Sequence, residues 1–248
     1  MIPRVEAMSD AVIEHLSLSE HLEALRLTLI RILVILVCGV ALTFLFYQPL
    51  FHLLSSPLFL LDTPDKAELV VLGPIDGIGI VLRVCFWCGL LATSPLWLFE
   101  VFRFVTPGLH RKERRLLVPF LFLSLVFLLS GMAFAYFVTL PLANEFFFHF
   151  NASLGRNLWS LANYYDYTLF LFLANGLAFE ICAIFFLLVH YGVINSRWIA
   201  KRRRVVYLSI WILSALLTPP DVFTQLMLAL PITCVFEGVG LYARWKAL

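Results

Sequence analysis

Charged residues are scarce in this sequence. Asp, Glu, Lys and Arg make up 14% of its 248 residues, whereas soluble domains average about 25%. Hydrophobic residues make up 62%, and the mean hydropathy is +0.94. This composition excludes a soluble globular domain, a disordered tail, a collagen and a disulfide scaffold. The sequence therefore predicts a polytopic membrane protein of the all-α class.

The short signatures of soluble enzymes are also missing. The sequence contains no G-x-S-x-G elbow, no H-E-x-x-H zinc motif, no Walker A loop and no G-x-G-x-x-G turn. Its six histidines are scattered without the spacing of metal ligands. An intramembrane protease would have to use Ser130 and His190, which no motif pairs. We therefore expect no catalytic residue, no metal and no cofactor, and a net charge of +2 gives no sign of nucleic-acid binding.

Long apolar runs predict the membrane spans. Four runs exceed the roughly 20 residues that cross the hydrocarbon layer as a helix, namely 27–47, 78–102, 116–142 and 167–193. The last apolar stretch is interrupted by Pro219 and Pro220, a pair that no straight helix carries. Two short arms remain, 205–217 and 222–239. The first arm is some 20 Å long as a helix, so it crosses only where the bilayer thins locally.

The distribution of Lys and Arg orients these spans. The loops on one side hold fifteen of these cations and the loops on the opposite side hold two. Such asymmetry places the cation-rich side, with both termini, in the cytoplasm. It favours an even number of crossings, six, although a re-entrant hairpin formed by the last two arms fits the same charges. No repeat or soluble domain interrupts the chain, so residues 1–248 form a single membrane domain.

Residues 1–26 precede the first span and have their own pattern. Ser17 and Glu20 form a capping box, and the leucines that follow lie on one helical stripe. This predicts an amphipathic helix at the cytoplasmic interface, with Glu23 and Arg26 on its polar side. A simple anchoring helix explains the pattern equally well.

Glu180 lies near the middle of the fourth predicted span. An ionised carboxylate there costs several kcal/mol against lipid, so it must face water, pair with a neighbour or be protonated. It either bonds to a neighbouring helix with no further role, or carries a proton or ion in a small secondary transporter. No paired halves with corresponding helix breaks, which such transporters usually have, are present. Gln225 and Glu237 in the last arm, and Asp221 beside the proline pair, raise the same question.

Glu113 is the one acid in the basic loop between the second and third spans, where Pro107 and Gly108 interrupt the helix. It either pairs with a neighbouring arginine or binds a cationic partner. An Arg–carboxylate fork is the geometry that would distinguish arginine from lysine.

Six short motifs occur in an order that is typical of one family. They are His21-Leu-Glu-Ala-Leu-Arg26, Ser56-Pro57-Leu58, Phe104-Val-Thr-Pro-Gly-Leu followed by Glu113-Arg-Arg, Gly131-Met-Ala-Phe-Ala-Tyr-Phe, Gly176-Leu-Ala-Phe-Glu180, and Thr218-Pro-Pro-Asp-Val-Phe-Thr-Gln225. Each motif alone is a weak signal, but together they cover most of the chain. The chain resembles the TatC subunit family of the twin-arginine protein translocase.

This resemblance implies a fold and a function. The fold would be a glove-shaped bundle of six membrane helices, the last two of them short. The chain would be the core receptor that recognises twin-arginine signal peptides on folded precursor proteins. It would transport them with single-span partners of the TatA and TatB type, driven by the proton-motive force, and would form homo-oligomers within a receptor complex. No transit peptide is recognisable, which favours a multi-pass protein of the bacterial cytoplasmic membrane over a thylakoid one.

The resemblance also assigns roles to individual residues. Glu113, Phe104 and Arg26 match signal-peptide-binding positions. The family glutamate before the first span falls on Ala24 here, and Glu23 precedes it by one residue, which turns the carboxylate by about 100° around a helix.

Other assignments concern the membrane interior and the loops. Glu180 matches an intramembrane acid on the concave face, with Cys182 where the family usually has proline. Asp221 and Gln225 match the region where the partner helices dock. Loop prolines with a structural role are assigned at Pro57, Pro107, Pro219 and Pro220.

Overall fold

The computed structural model of the chain describes residues 18–59, 68–105, 111–218 and 220–246. This part contains nine α-helices and two short strands. In chain order they are α1 (Leu18–Leu45), α2 (Tyr47–Phe59), β1 (Glu68–Val70), α3 (Asp76–Ala92), α4 (Ser94–Val105), α5 (Arg111–Phe134), α6 (Leu140–Ala152), β2 (Leu158–Ser160), α7 (Leu161–His190), α8 (Ser196–Leu217) and α9 (Val222–Trp245). A π-helical turn, Ala135–Thr139, joins α5 to α6.

Four helical stretches of the described part are long and apolar enough to cross a membrane. They are His21–Leu45, Pro119–Ala152, Leu161–His190 and Val222–Trp245. The bent pair α3–α4 makes a fifth if it is a single span. Helix α8 is not among them, because its first half carries the basic run Lys201–Arg204. The prediction of six spans with both termini in the cytoplasm stays a prediction.

The first span begins earlier than expected. Helix α1 runs without a break from Leu18 to Leu45, so residues 18–26 and all but the last two residues of the predicted span 27–47 are one continuous helix; Tyr47 already begins α2. The remainder of the predicted interfacial helix, including Ser17 of the capping box, lies outside the described residues.

The second predicted span, 78–102, is not one straight helix. Helices α3 and α4 meet at Thr93 with a bend of 55°. Pro95 follows in the first turn of α4, and proline has no N–H to continue the ladder of the preceding helix. The Thr93 hydroxyl instead donates to the carbonyl oxygen of Gly89 at 2.7 Å, which satisfies a carbonyl group in the last turn of α3.

The third predicted span, 116–142, continues well beyond its expected end. Helix α5, the π-helical turn and α6 follow one another to Ala152 without a loop. Pro141 lies in the first turn of α6. Proline removes one bond of an α-helical ladder and clashes with the carbonyl one turn earlier, and a π-turn accommodates both effects.

The last two helices are longer than the predicted arms 205–217 and 222–239. Helix α8 has 22 residues because it includes the basic segment before Val205. Helix α9 has 24 residues, about 36 Å of helix, and is not short. The break between them is where the sequence placed it: α8 ends at Leu217 and Pro220 lies in the connection, whereas Pro219 lies outside the described residues.

Helix directions define two ends of the bundle. Helices α1 and α4 are antiparallel, because His21 contacts Phe104 and Arg31 contacts Glu100. Helices α5 and α7 are also antiparallel, because Ser124 contacts Glu180 and Gly131 lies against Asn175. At one end of the bundle, α1 and α5 begin and α4, α7 and α9 terminate. We call it the basic end, because it carries Arg103 and the α8 run Lys201–Arg204. The other end is called the strand end.

The strand end holds structure that an all-α prediction does not include. Strands β1 and β2 pair in parallel with Glu68 opposite Leu158, and Arg156 reaches Glu68 at 3.3 Å. Pro57, assigned to a loop, lies buried inside α2 instead. Helix α2 is fixed to α7, since the hydroxyl of Tyr164 donates to the carbonyl of Leu54 at 3.1 Å.

Buried residues form two clusters around α7. One lies toward the strand end, among α2, α3 and the first half of α7, and the other lies among the second half of α7, α8 and α9. Helices approach each other closely at two glycines, as small residues allow in membrane bundles. An added Cβ at Gly89 would lie 2.8 Å from the backbone nitrogen of Val40, and one at Gly131 would lie 2.6 Å from the carbonyl oxygen of Asn175.

Candidate functional site

The basic end brings together two motifs that are far apart in the sequence. The His21 ring of α1 lies against the Phe104 ring of α4, with centroids 4.9 Å apart and planes 33° apart. The antiparallel packing of α1 on α4 produces this contact. Both residues lie near the helix end that faces the basic side of the bundle, so the contact is at a surface and not in the core.

Glu100 lies one turn before Phe104 on the same face of α4. Its carboxylate contacts two arginines: Arg31 of α1 at 3.4 Å through one oxygen, and Arg103 at 3.5 Å through the other. The Glu100 side chain is 13% exposed, whereas the two arginines are 46% and 59% exposed. A partly desolvated acid thus lies between two accessible cations beside Phe104.

Sequence reasoning missed Glu100. Glu100 lies within the predicted span 78–102, near the end of that span, where a charged side chain at the membrane interface is not unusual. The available signal was its spacing of four residues from Phe104, which places both on one helical face. Its partner Arg31, 69 residues away, was not predictable from spacing.

The N-terminal site residues lie on different faces of α1. Glu23 and Arg26 are exposed, whereas Ala24 is half-buried on the stripe that also includes His21 and Thr28. The stripe that packs toward α4 therefore presents an alanine, and the Glu23 carboxylate is turned away from it.

Glu113 lies in the first turn of α5, at the same end of the bundle as Phe104. Its side chain, and the loop residues 106–110 with Pro107, lie outside the described residues. The role of Glu113 in signal-peptide binding is therefore still a prediction.

Glu180 is half-buried in α7 and has a hydroxyl partner. Ser124 of α5 lies 2.8 Å and 2.7 Å from its two carboxyl oxygens. Among the described residues Glu180 forms no ion pair. This is the bond to a neighbouring helix that the sequence offered as one alternative, and it does not test the carrier role.

Asp221 and Gln225 are both engaged within the bundle. The Asp221 carboxylate caps α9 by accepting the backbone N–H of Thr224 at 2.7 Å. The Gln225 side-chain amide donates to the carbonyl of Trp211 in α8 at 3.2 Å. Asp221 therefore fixes the first turn of α9, and Gln225 ties α9 to α8 at the strand end.

The polar features lie at three levels along the bundle. Phe104 and Glu100 are at the basic end, the Ser124–Glu180 pair is in the interior, and Asp221 is at the strand end. Within the described residues no group of three or more His, Cys, Asp or Glu side chains could hold a metal ion.

Comparison with known proteins decides the family. The family model described as "Sec-independent protein translocase protein (TatC)" matches residues 20–231, most of the chain. The chain belongs to the TatC family. It is 34% identical to the TatC protein of Synechocystis over 91% of this chain and 87% of that one. It is 32% identical to TatC of Escherichia coli K12 over 88% and 82%, respectively.

A solved structure has the same fold. The "Crystal Structure of Twin Arginine Translocase Receptor- TatC" superposes with a TM-score of 0.73 at 31% identity, covering 91% of this chain and 100% of that one. This member of the TatC family is therefore a helical membrane protein and a component of the Sec-independent protein translocase. The family that it matches is one of transport machinery.

Proposed function

We propose that this chain is the receptor subunit of the twin-arginine translocase, and that the basic end of α1, α4 and α5 binds the signal peptide. The observation that carries the proposal is the contact between His21 and Phe104, which joins the N-terminal motif to the loop motif. The name of the related crystal structure, a twin-arginine translocase receptor, supports the same role.

Arginine recognition follows from the chemistry available at this end. A guanidinium forms two parallel bonds to a carboxylate, whereas an ammonium acts as a point charge. Glu113 supplies the carboxylate for the arginine pair, and Phe104 packs against the signal backbone or the arginine stems. Arg26 and Glu23 border the site on α1. Such bonds are stronger at a membrane interface than in bulk water, because both partners are partly desolvated.

The rest of the bundle serves transport. We assign the basic end to the cytoplasm, with six spans, both termini inside and a concave face lined by Glu180 that accepts the apolar part of the signal. Partner helices of the TatA and TatB type dock near Asp221 and Gln225, and several copies of the chain share one receptor complex. The energy comes from the proton-motive force across a bacterial cytoplasmic membrane.

Photo-crosslinking tests this function. A photo-reactive residue at Phe104 is combined with a precursor whose signal carries Arg-Arg or, as the matched control, Lys-Lys. We expect crosslinking to require Arg-Arg and to fall at least about tenfold in Glu113→Gln, because charged hydrogen bonds contribute about 1.5–3 kcal/mol. Glu145→Gln, which removes an exposed carboxylate from α6, should leave it unchanged.

Crosslinking that is indifferent to arginine would contradict the receptor function. Uptake of small solutes into proteoliposomes would then test the remaining hypothesis, a secondary transporter that uses Glu180. Uptake abolished by Glu180→Gln would support that alternative.

A further inference from the structure

Glu100 is the most buried of the ion-paired carboxylates in the described part of the chain. Its side chain is 13% exposed, whereas the others range from 38% to 60%. Burial makes a carboxylate dependent on its cationic partners, since removal of one leaves a poorly solvated charge. A cationic partner of Glu100 therefore stabilises the ionised carboxylate by more than a partner in a surface ion pair would.

The two arginines that contact Glu100 are held loosely. Their guanidinium nitrogens lie 3.4 Å and 3.5 Å from the carboxyl oxygens, whereas charge-assisted bonds are typically about 2.7–2.9 Å. The Arg203–Glu237 pair of this same chain reaches 2.7 Å. Each oxygen of Glu100 thus faces a different guanidinium, and neither guanidinium forms a tight fork.

The position of Glu100 suits a ligand that contacts Phe104. The two residues are four apart on α4, about 6 Å along the helix axis. Across from them, α1 presents the half-buried Ala24, and the exposed carboxylate of Glu23 is turned away. Glu100 is therefore the carboxylate that the described residues place on the α1–α4 contact itself.

We propose that Glu100 binds one arginine of the signal peptide, and that Arg31 occupies this carboxylate in the unliganded receptor and is displaced on binding. The proposal rests on the function proposed above and adds a residue to its site. Replacing one guanidinium by another keeps the buried carboxylate paired, so the exchange avoids an uncompensated charge. A lysine ammonium cannot reproduce the fork, and the exchange therefore favours arginine.

A purely structural tie between α1 and α4 is the competing explanation. Glu100→Gln and Arg31→Gln both break that tie, so a structural role predicts that both lower signal binding. Our proposal predicts that the two substitutions change signal binding in opposite directions. Loss of the carboxylate removes a ligand group, whereas loss of Arg31 removes a competitor.

The experiment uses the full chain with its partner subunits in native membrane vesicles. A photo-reactive residue is placed in the signal peptide beside the arginine pair, so that the receptor carries only the tested substitution. We expect Glu100→Gln to lower Arg-Arg crosslinking about tenfold, and Arg31→Gln to raise it about threefold, because more of the receptor is competent to bind. Arg31→Lys, which keeps a cation at this position, should stay nearer to wild type than Arg31→Gln.

The outcomes separate the two proposals. If wild type does not distinguish Arg-Arg from Lys-Lys, the receptor function itself fails. If wild type distinguishes them and both Gln variants lower crosslinking, or neither changes it, only the role of Glu100 fails. Should Glu100→Gln not accumulate in the membrane, Glu100→Asp gives the test: the shorter carboxylate should weaken crosslinking while Arg31→Gln still strengthens it.

Discussion

The close crossing of α5 and α7 makes Gly131→Ala a sharp test of the packing. A Cβ at Gly131 would lie 2.6 Å from the carbonyl oxygen of Asn175 and 3.0 Å from its carbonyl carbon. These are backbone atoms, so no side chain can rotate away. The helices must separate by about 0.8 Å to reach an ordinary van der Waals distance.

Overpacking of this kind costs about 1–3 kcal/mol. For a chain of this length, each kcal/mol shifts the midpoint of thermal unfolding by about 2–4 °C. We therefore expect Gly131→Ala to lower the apparent Tm of the detergent-purified protein by about 2–12 °C. Thermal scans at one fixed heating rate, followed by fluorescence-detected size exclusion, measure this shift.

Two other glycines provide matched controls. A Cβ at Gly238 meets nothing within 4 Å, and one at Gly176 meets only the flexible tip of Leu128 at 3.1 Å. Gly238→Ala should leave the Tm unchanged and Gly176→Ala should lower it by less than Gly131→Ala does. If Gly131→Ala is as stable as Gly238→Ala, the close approach of α5 to α7 described here is wrong.

Three further predictions concern residues near the starts of α9 and α1. Asp221→Ala removes the N-cap of α9 and should cost about 1 kcal/mol, seen as a Tm lower by about 2–4 °C; Asp221→Asn, which still caps, should recover most of it, and equal losses in both would refute the capping role. Glu23→Gln should weaken Arg-Arg crosslinking about threefold at most, because exposed charges contribute little. Ala24→Glu, which adds a carboxylate on the stripe facing α4, should strengthen crosslinking, and a loss there would contradict the assigned face.

Much of the fold was predictable because apolar runs report directly on helices in lipid. The ends of those helices were not predictable, since hydropathy contains no information on how backbone hydrogen bonds rearrange at a helix break. Pro95 lies at the bend between α3 and α4, inside an apolar run. Pro141 is accommodated by a π-turn within a helical stretch that continues to Ala152. The basic start of α8 was excluded from the span by its charges, yet it is helical.

The candidate site was predictable only where a motif carried it. Phe104 was singled out by its motif, and its contact with His21 followed from no spacing in the sequence. Glu180 was conspicuous as an acid in an apolar run, but its partner Ser124 lies 56 residues away on another helix. Tertiary pairing decides such contacts, and local patterns do not encode it.

The ladder between β1 and β2 has a consequence for how the molecule can move. It joins the chain segment before α3 to the segment before α7, and the Glu68–Arg156 pair closes it further. The ladder therefore ties together two connections that are remote in sequence, at the strand end of the bundle. Movement of α3 away from α7 at the strand end would have to break this ladder, so the ladder restricts relative movement of the two helices there.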